Sequence, residues 1–150
     1  MSGSVPRAIA TFFGAGLFPK APGTFATFAA LPLYLILRRL PLGLYLFVVF
    51  LLTAIGVKAS GEMEKEWGKD PSRVVIDEVC GILVTLVSRS ARFRDIALGT
   101  LLFRFFDITK PPPIGTIDKK IPGGLGIMAD DLAAGLVSAC ILYFIRKRGF

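Results

Sequence analysis

Long apolar stretches alternate with short polar or glycine- and proline-rich breaks along this chain. Apolar segments occupy residues 25–37, 42–57, 74–88, 96–108 and 127–145, each between 13 and 19 residues long. A helix needs about 20 residues to cross roughly 30 Å of hydrocarbon. The pattern therefore predicts an all-α fold: a compact polytopic membrane helix bundle whose helices are short, tilted or broken, with Pro32 breaking the first. Residues 5–13 predict a short amphipathic helix at the membrane surface, leading into a Gly/Pro-rich loop rather than forming a secretory signal. Residues 1–150 read as one domain without internal repeats.

Composition strengthens the membrane reading. Apolar residues make up 53% of the chain before its 16 glycines are counted, and charged residues only 19%. A soluble domain averages roughly 45–50% apolar with glycine included and about 25% charged. With a mean hydropathy of +0.65, there is more apolar surface than a core of this size buries, so lipid is expected as part of the solvent. A hydrophobic soluble bundle is the plainer alternative. The net charge of +7, from 18 Lys and Arg against 11 Asp and Glu, fits juxtamembrane residues meeting anionic lipid better than nucleic-acid binding.

The chain has no histidine, which removes Ser-His-Asp and Cys-His catalysis, His-ligated zinc and histidine phosphatases. Cys80 and Cys140 lie in apolar runs and read as small core residues, not a disulfide pair. Cys140 and Arg146 match a bare C-x5-R pattern, but the intervening Ile-Leu-Tyr-Phe-Ile offers no glycine-rich phosphate cradle.

The acidic residues are not scattered. Asp77 and Glu78 open the third segment, Asp107 ends the fourth, and Asp130 with Asp131 opens the fifth. Alternating helix direction gathers all five at one end of the bundle, with Asp95 at the other. Carboxylates within apolar helices are costly and usually functional. Five together repel one another unless a cation sits among them, and a hard divalent ion such as Mg²⁺ suits oxygen ligands; pairing with Lys or Arg is the alternative. Gly81 and Gly135 each follow an acid by four residues, on its face of the helix. Small residues there allow close helix approach.

Two loops flank the acids. Residues 14–24 hold three Gly and two Pro; Thr24 is placed to cap the following helix, and Lys20 reads equally as a phosphate ligand or a snorkelling interface lysine. Residues 109–126 carry Lys110 and Pro111-Pro112-Pro113 and read as a stiff, extended connection. Arg104 lies one turn before Asp107, so its anion is either that carboxylate or a substrate phosphate.

Four ordered blocks then resemble one family: Gly-x-Gly-x-x-Pro-Lys-Ala-Pro-Gly-Thr at 14–24, Ile-Asp-Glu-Val-x-Gly at 76–81, Phe-Arg-x-Phe-Asp-Ile-x-Lys-Pro-x-Pro-Ile at 103–114, and Gly-Gly-x-Gly-Ile-Met-x-Asp-Asp-x-x-Ala-Gly at 123–135. The chain resembles the phosphatidylglycerophosphatase A family, departing slightly at Ala26, where a Gly is often seen. The resemblance implies a Mg²⁺-dependent enzyme of the inner (cytoplasmic) membrane that hydrolyses phosphatidylglycerophosphate to phosphatidylglycerol, with its active site at the cytoplasmic face. It also implies Asp77, Glu78, Asp107, Asp130 and Asp131 as the acidic, metal-binding site, with Lys20, Thr24, Arg104 and Lys110 around the phosphate.

Without His or a plausible Cys nucleophile, the expected chemistry is attack by a metal-activated water, with an aspartyl-phosphate route as the alternative. A small membrane transport or binding protein is the competing class, though it has no need of the Pro-Lys-Ala-Pro-Gly-Thr loop. A CDP-alcohol phosphotransferase is excluded, because no Asp here is followed by Gly. The expected partners are the lipid substrate and the membrane, with no nucleic acid and no obligate protein partner. Lys and Arg divide evenly between the two ends of the bundle, so charge does not orient it.

Overall fold

A computed structural model describes residues 3–149. Among them are seven α-helices and no strand: α1 (Ser4–Ala10), α2 (Pro22–Leu37), α3 (Leu42–Trp67), α4 (Ile76–Thr85), α5 (Phe93–Thr109), α6 (Ile114–Lys120) and α7 (Gly123–Lys147). The all-α expectation holds.

Two helices, α3 with 26 residues and α7 with 25, are long and apolar enough to cross a membrane. At 1.5 Å per residue each is roughly 38 Å long. α2 is a shorter apolar helix. The outer faces of these elements carry exposed Phe28, Leu35, Phe47, Phe50, Leu136 and Phe144, which water would not favour and lipid does.

α4 lies inside this frame. It packs on α2, α3, α5 and α7, and Val79, Cys80, Ile82 and Leu83 are fully buried. At ten residues it is about 15 Å long and cannot itself span a bilayer. α7 runs alongside it so closely that a Cβ added at Gly135 would lie 2.6 Å from the Gly81 carbonyl oxygen. The paired glycines thus bring the two acid-bearing helices together, as their spacing suggests.

The end of the bundle beyond the α4 C-terminus is closed by polar contacts. Tyr34 donates to the Ser90 carbonyl at 2.6 Å, Tyr45 to the Leu83 carbonyl at 2.5 Å, and Arg89 to the Leu40 carbonyl at 2.5 Å. The Leu83 carbonyl in the last turn of α4 and the Leu40 and Ser90 carbonyls in the connections thereby find donors. Asp95 belongs to this end, accepting from Ser90 Oγ at 2.5 Å and lying 3.2 Å from Arg146 Nε.

Several local expectations need correction. α2 runs unbroken through Pro32, because the ring costs one hydrogen bond and its φ suits a helix in an apolar setting. α3 continues past Val57 to Trp67, since Lys, Glu and Met are good helix formers once the span has started. The 109–126 connection is not simply extended: it contains α6, and Gly123, Gly124 and Gly126 begin α7. α1 ends at Ala10, and Phe12 and Phe13 follow with φ of 48° and 55°. Cys80 is buried, but Cys140 faces outward from α7.

Candidate active site

All five acids predicted to gather do so. Asp77, Glu78, Asp107, Asp130 and Asp131 line one cleft of about 330 Å³, together with Arg104, Lys110 and the Ala21–Gly23 stretch. Each acid is placed by its helix. Asp77 and Glu78 occupy the first turn of α4 and Asp107 the last turn of α5. Asp130 and Asp131 sit in α7 roughly 12 Å from its start, so the site is sunk below that end of the bundle.

Oxygens of Asp77, Asp130 and Asp131 lie within 4.8 Å of one another, and so do oxygens of Glu78, Asp107 and Asp131. Asp131 belongs to both sets. Asp77 Oδ1, Glu78 Oε2 and Asp131 Oδ2 are buried and have no hydrogen-bond donor. Buried carboxylate oxygens without partners are expensive. Their convergence fits a hard divalent cation, for which a carboxylate oxygen cage is the usual donor set.

Two cations trim the negative charge. Arg104 forms an ion pair with Asp107 and lies 3.8 Å from Glu78 Oε1. Its Nε is buried with no acceptor, which leaves a donor for another anion. Lys110 donates to Asp130 Oδ2 at 2.7 Å and sits 3.2 Å from Asp118 Oδ1. Burial pulls the Lys110 ammonium towards neutrality, but Asp130 and Asp118 outweigh it and hold its pKa above the ordinary lysine value. Asp70, in the loop after α3, is pushed up from the usual carboxylate range, first by desolvation, with Lys110 opposing.

The first loop reaches the site through its middle. Ala21, Pro22 and Gly23 line the cleft, while Lys20 and Thr24 on either side of them do not. Thr24 is not the helix cap: α2 begins at Pro22, and Ala21 occupies the capping position in a left-handed conformation without a side-chain hydrogen bond. Gly23 lets Glu78 come close to this wall, since a Cβ there would push the Glu78 carboxylate aside. Lys20 is exposed and makes no ion pair among the described residues.

Sequence reasoning missed three residues of this region. Asp118 braces Lys110 from α6, and Asp70 and Ser72 line the cleft. Asp118 was hidden because the proline run masks the helix that carries it. Asp70 and Ser72 sit in a charged stretch with no periodic signal.

An all-helical protein with long apolar helices and a buried carboxylate cleft trimmed by Arg and Lys has the donor set of a metal-assisted phosphoryl-transfer enzyme. The chain belongs to the phosphatidylglycerophosphatase A family, whose profile matches residues 8–146, and it is accordingly a phosphatase. It is 41% identical to phosphatidylglycerophosphatase A of Escherichia coli (strain K12) over 139 residues, covering 91% of this chain and 81% of that protein. It is 35% identical to the Haemophilus influenzae protein of the same name, covering 92% and 86%. A Bacteroides thetaiotaomicron protein named as a candidate phosphatidylinositol-3-phosphatase is 35% identical over 150 residues, covering 95% and 94%. No solved structure matches the chain.

Proposed function

We propose that this chain hydrolyses phosphatidylglycerophosphate to phosphatidylglycerol and inorganic phosphate with Mg²⁺ held in the acidic cleft. The observation that carries the reading is the pair of carboxylate sets meeting at Asp131, each with a buried oxygen lacking a donor. Asp77, Glu78, Asp107, Asp130 and Asp131 would hold the metal. When bound, Mg²⁺ supplies charge neutralisation for the phosphate and acidifies a coordinated water.

The protein's own groups do the rest. Arg104 keeps Glu78 and Asp107 in place through its terminal nitrogen and offers its unpartnered Nε to a phosphate oxygen. Lys110 holds Asp130 and adds a fixed positive charge. Lys20 and Thr24 adjoin the Ala21–Gly23 wall in sequence without lining the cleft; their roles on the phosphate, Lys20 as a movable charge and Thr24 as a hydroxyl, rest on the family resemblance. Water adds at phosphorus, the phosphorus–glycerol oxygen bond breaks, and the glycerol oxygen leaves with a proton.

The outward apolar faces support embedding in a membrane; the family resemblance is what suggests a multi-pass protein of the inner (cytoplasmic) membrane, with residues 1–150 as one domain and the site at the cytoplasmic face. Its partners are the lipid substrate and the surrounding membrane, with no nucleic acid and no obligate protein partner. Release of inorganic phosphate from the purified lipid, dependent on the protein and lost in Asp131→Asn, tests the activity. Single-cysteine labelling at 119 and 148 in sealed right-side-out vesicles tests orientation; external labelling at 119 overturns the cytoplasmic site.

A further inference from the structure

Three neighbouring hollows share wall residues along the 12–23 stretch. The acidic cleft shares Pro22 and Ser72 with a second hollow of about 460 Å³, whose charged residues are Arg7 and Arg73. That one shares Leu17, Phe18 and Pro19 with a third of about 590 Å³, which has Phe12, Phe13 and Phe25 in its wall and no charged residue. The chemistry along this path is carboxylate, then guanidinium, then hydrocarbon.

The middle hollow is built rather than incidental. Arg7 and Arg73 both lie over the ring of Trp67, with their guanidinium carbons 5.4 and 5.6 Å from its centroid. Neither makes an ion pair among the described residues. Two positive charges on one indole repel each other, and with no carboxylate paired to either their N–H groups are left to bind an anion. The two segments that carry them are tied together, since Val75 N donates to the Ala10 carbonyl at 2.8 Å.

The outer hollow is unlike a soluble surface. Phe13 is 82% exposed, and Phe12 and Phe13 both sit in the left-handed region that bulky side chains avoid. Phe18 and Phe25 stack with ring centroids 4.2 Å apart. Apolar rings displayed beside a basic pocket suit the place where a phospholipid headgroup gives way to its chains.

The geometry points to a three-part lipid site: the terminal phosphomonoester at the carboxylates, the phosphodiester of the same molecule on Arg7 and Arg73, and the first acyl carbons against the phenylalanines. This rests on the phosphomonoesterase reading of the acidic cleft. Arg7 and Arg73 are positioning residues. They select substrates carrying a phosphodiester next to the scissile monoester.

Trp67 is the single tryptophan and lies against both arginines of the middle hollow, so its emission reports an anion bound to them. In neutral detergent micelles, short-chain phosphatidylglycerol, which has the diester and no monoester, should change Trp67 emission saturably, and a diacylglycerol of equal chain length should not. The Arg7→Gln/Arg73→Gln double variant should bind phosphatidylglycerol at least tenfold more weakly. Its KM for phosphatidylglycerophosphate should rise at least tenfold with kcat within threefold, while its kinetics on glycerol phosphate stay those of the parent. Unchanged phosphatidylglycerol binding in the double variant, or equal losses on both substrates, overturns the proposal. A parent chain that binds phosphatidylglycerol through these arginines yet releases no phosphate overturns the phosphatase reading and leaves the phosphodiester site standing.

Discussion

The Lys110 ammonium lies 2.7 Å from Asp130 Oδ2 and 3.2 Å from Asp118 Oδ1, so one side chain at the end of α5 joins α6 and α7. Removing it leaves Asp130 buried without its cation. Lys110→Met is expected to lower turnover by about 10²-fold and to loosen α6, seen as faster amide exchange over residues 114–120. Lys110→Arg should recover part of the activity. Wild-type turnover in Lys110→Met would show that the bridge does not serve the site, and unchanged amide exchange over residues 114–120 that it does not hold α6.

Metal binding should follow the overlap of the two carboxylate sets. Asp131→Asn touches both and should lose most Mn²⁺ binding, read by electron paramagnetic resonance, whereas Asp77→Asn and Glu78→Gln each touch one. Each substitution should cost turnover about 10²-fold or more. Excess chelator should abolish phosphate release and added Mg²⁺ restore it. Undiminished turnover in chelator would sink the metal reading.

Much of this was legible in the sequence because lipid makes the pattern coarse. Segments that must bury or display hydrocarbon announce themselves, and helix alternation then forces Asp77, Asp107 and Asp131 to one end. Gly81 and Gly135 likewise revealed the α4–α7 approach. What stayed hidden depends on tertiary context. Asp118 carries no signal of its own in the sequence and meets Lys110 only because α6 forms, and the α2 start at Pro22 displaced Thr24 from its expected cap. Arg7 and Arg73 are far apart in sequence, and only the fold stacks them on Trp67.

Asp95 separates charge that holds the fold from charge that does chemistry. It is fully buried at the opposite end, held by Ser90 and Arg146, and so links the start of α5 to the end of α7. Asp95→Ala should destabilise the bundle by about 1–3 kcal/mol, because it strands two polar partners. Turnover per folded molecule should remain within threefold. A loss of activity equal to that of Asp131→Asn at unchanged melting temperature would overturn the two-ended division.

Arg104 offers the sharpest contrast between structure and catalysis. It pairs with Asp107, reaches Glu78 at 3.8 Å, and keeps a buried Nε without an acceptor. If its work were only to neutralise those acids, Arg104→Ala would strand two buried carboxylates, and breaking such a pair costs about 3–5 kcal/mol. The bundle would then melt early, and Arg104→Lys would restore it. If the free Nε binds substrate phosphate, the outcome differs. Divalent cation in the cleft offsets the loss of one positive charge, so Arg104→Ala in Mg²⁺ should fold and bind Mn²⁺ yet turn over about 10²-fold more slowly. Arg104→Lys should then stay slow as well, because an ammonium cannot serve Asp107 and a phosphate with separate, fixed N–H groups. Melting temperature, Mn²⁺ binding and turnover measured on the same preparation distinguish these outcomes, and the orphaned Nε predicts a folded, metal-competent and slow enzyme.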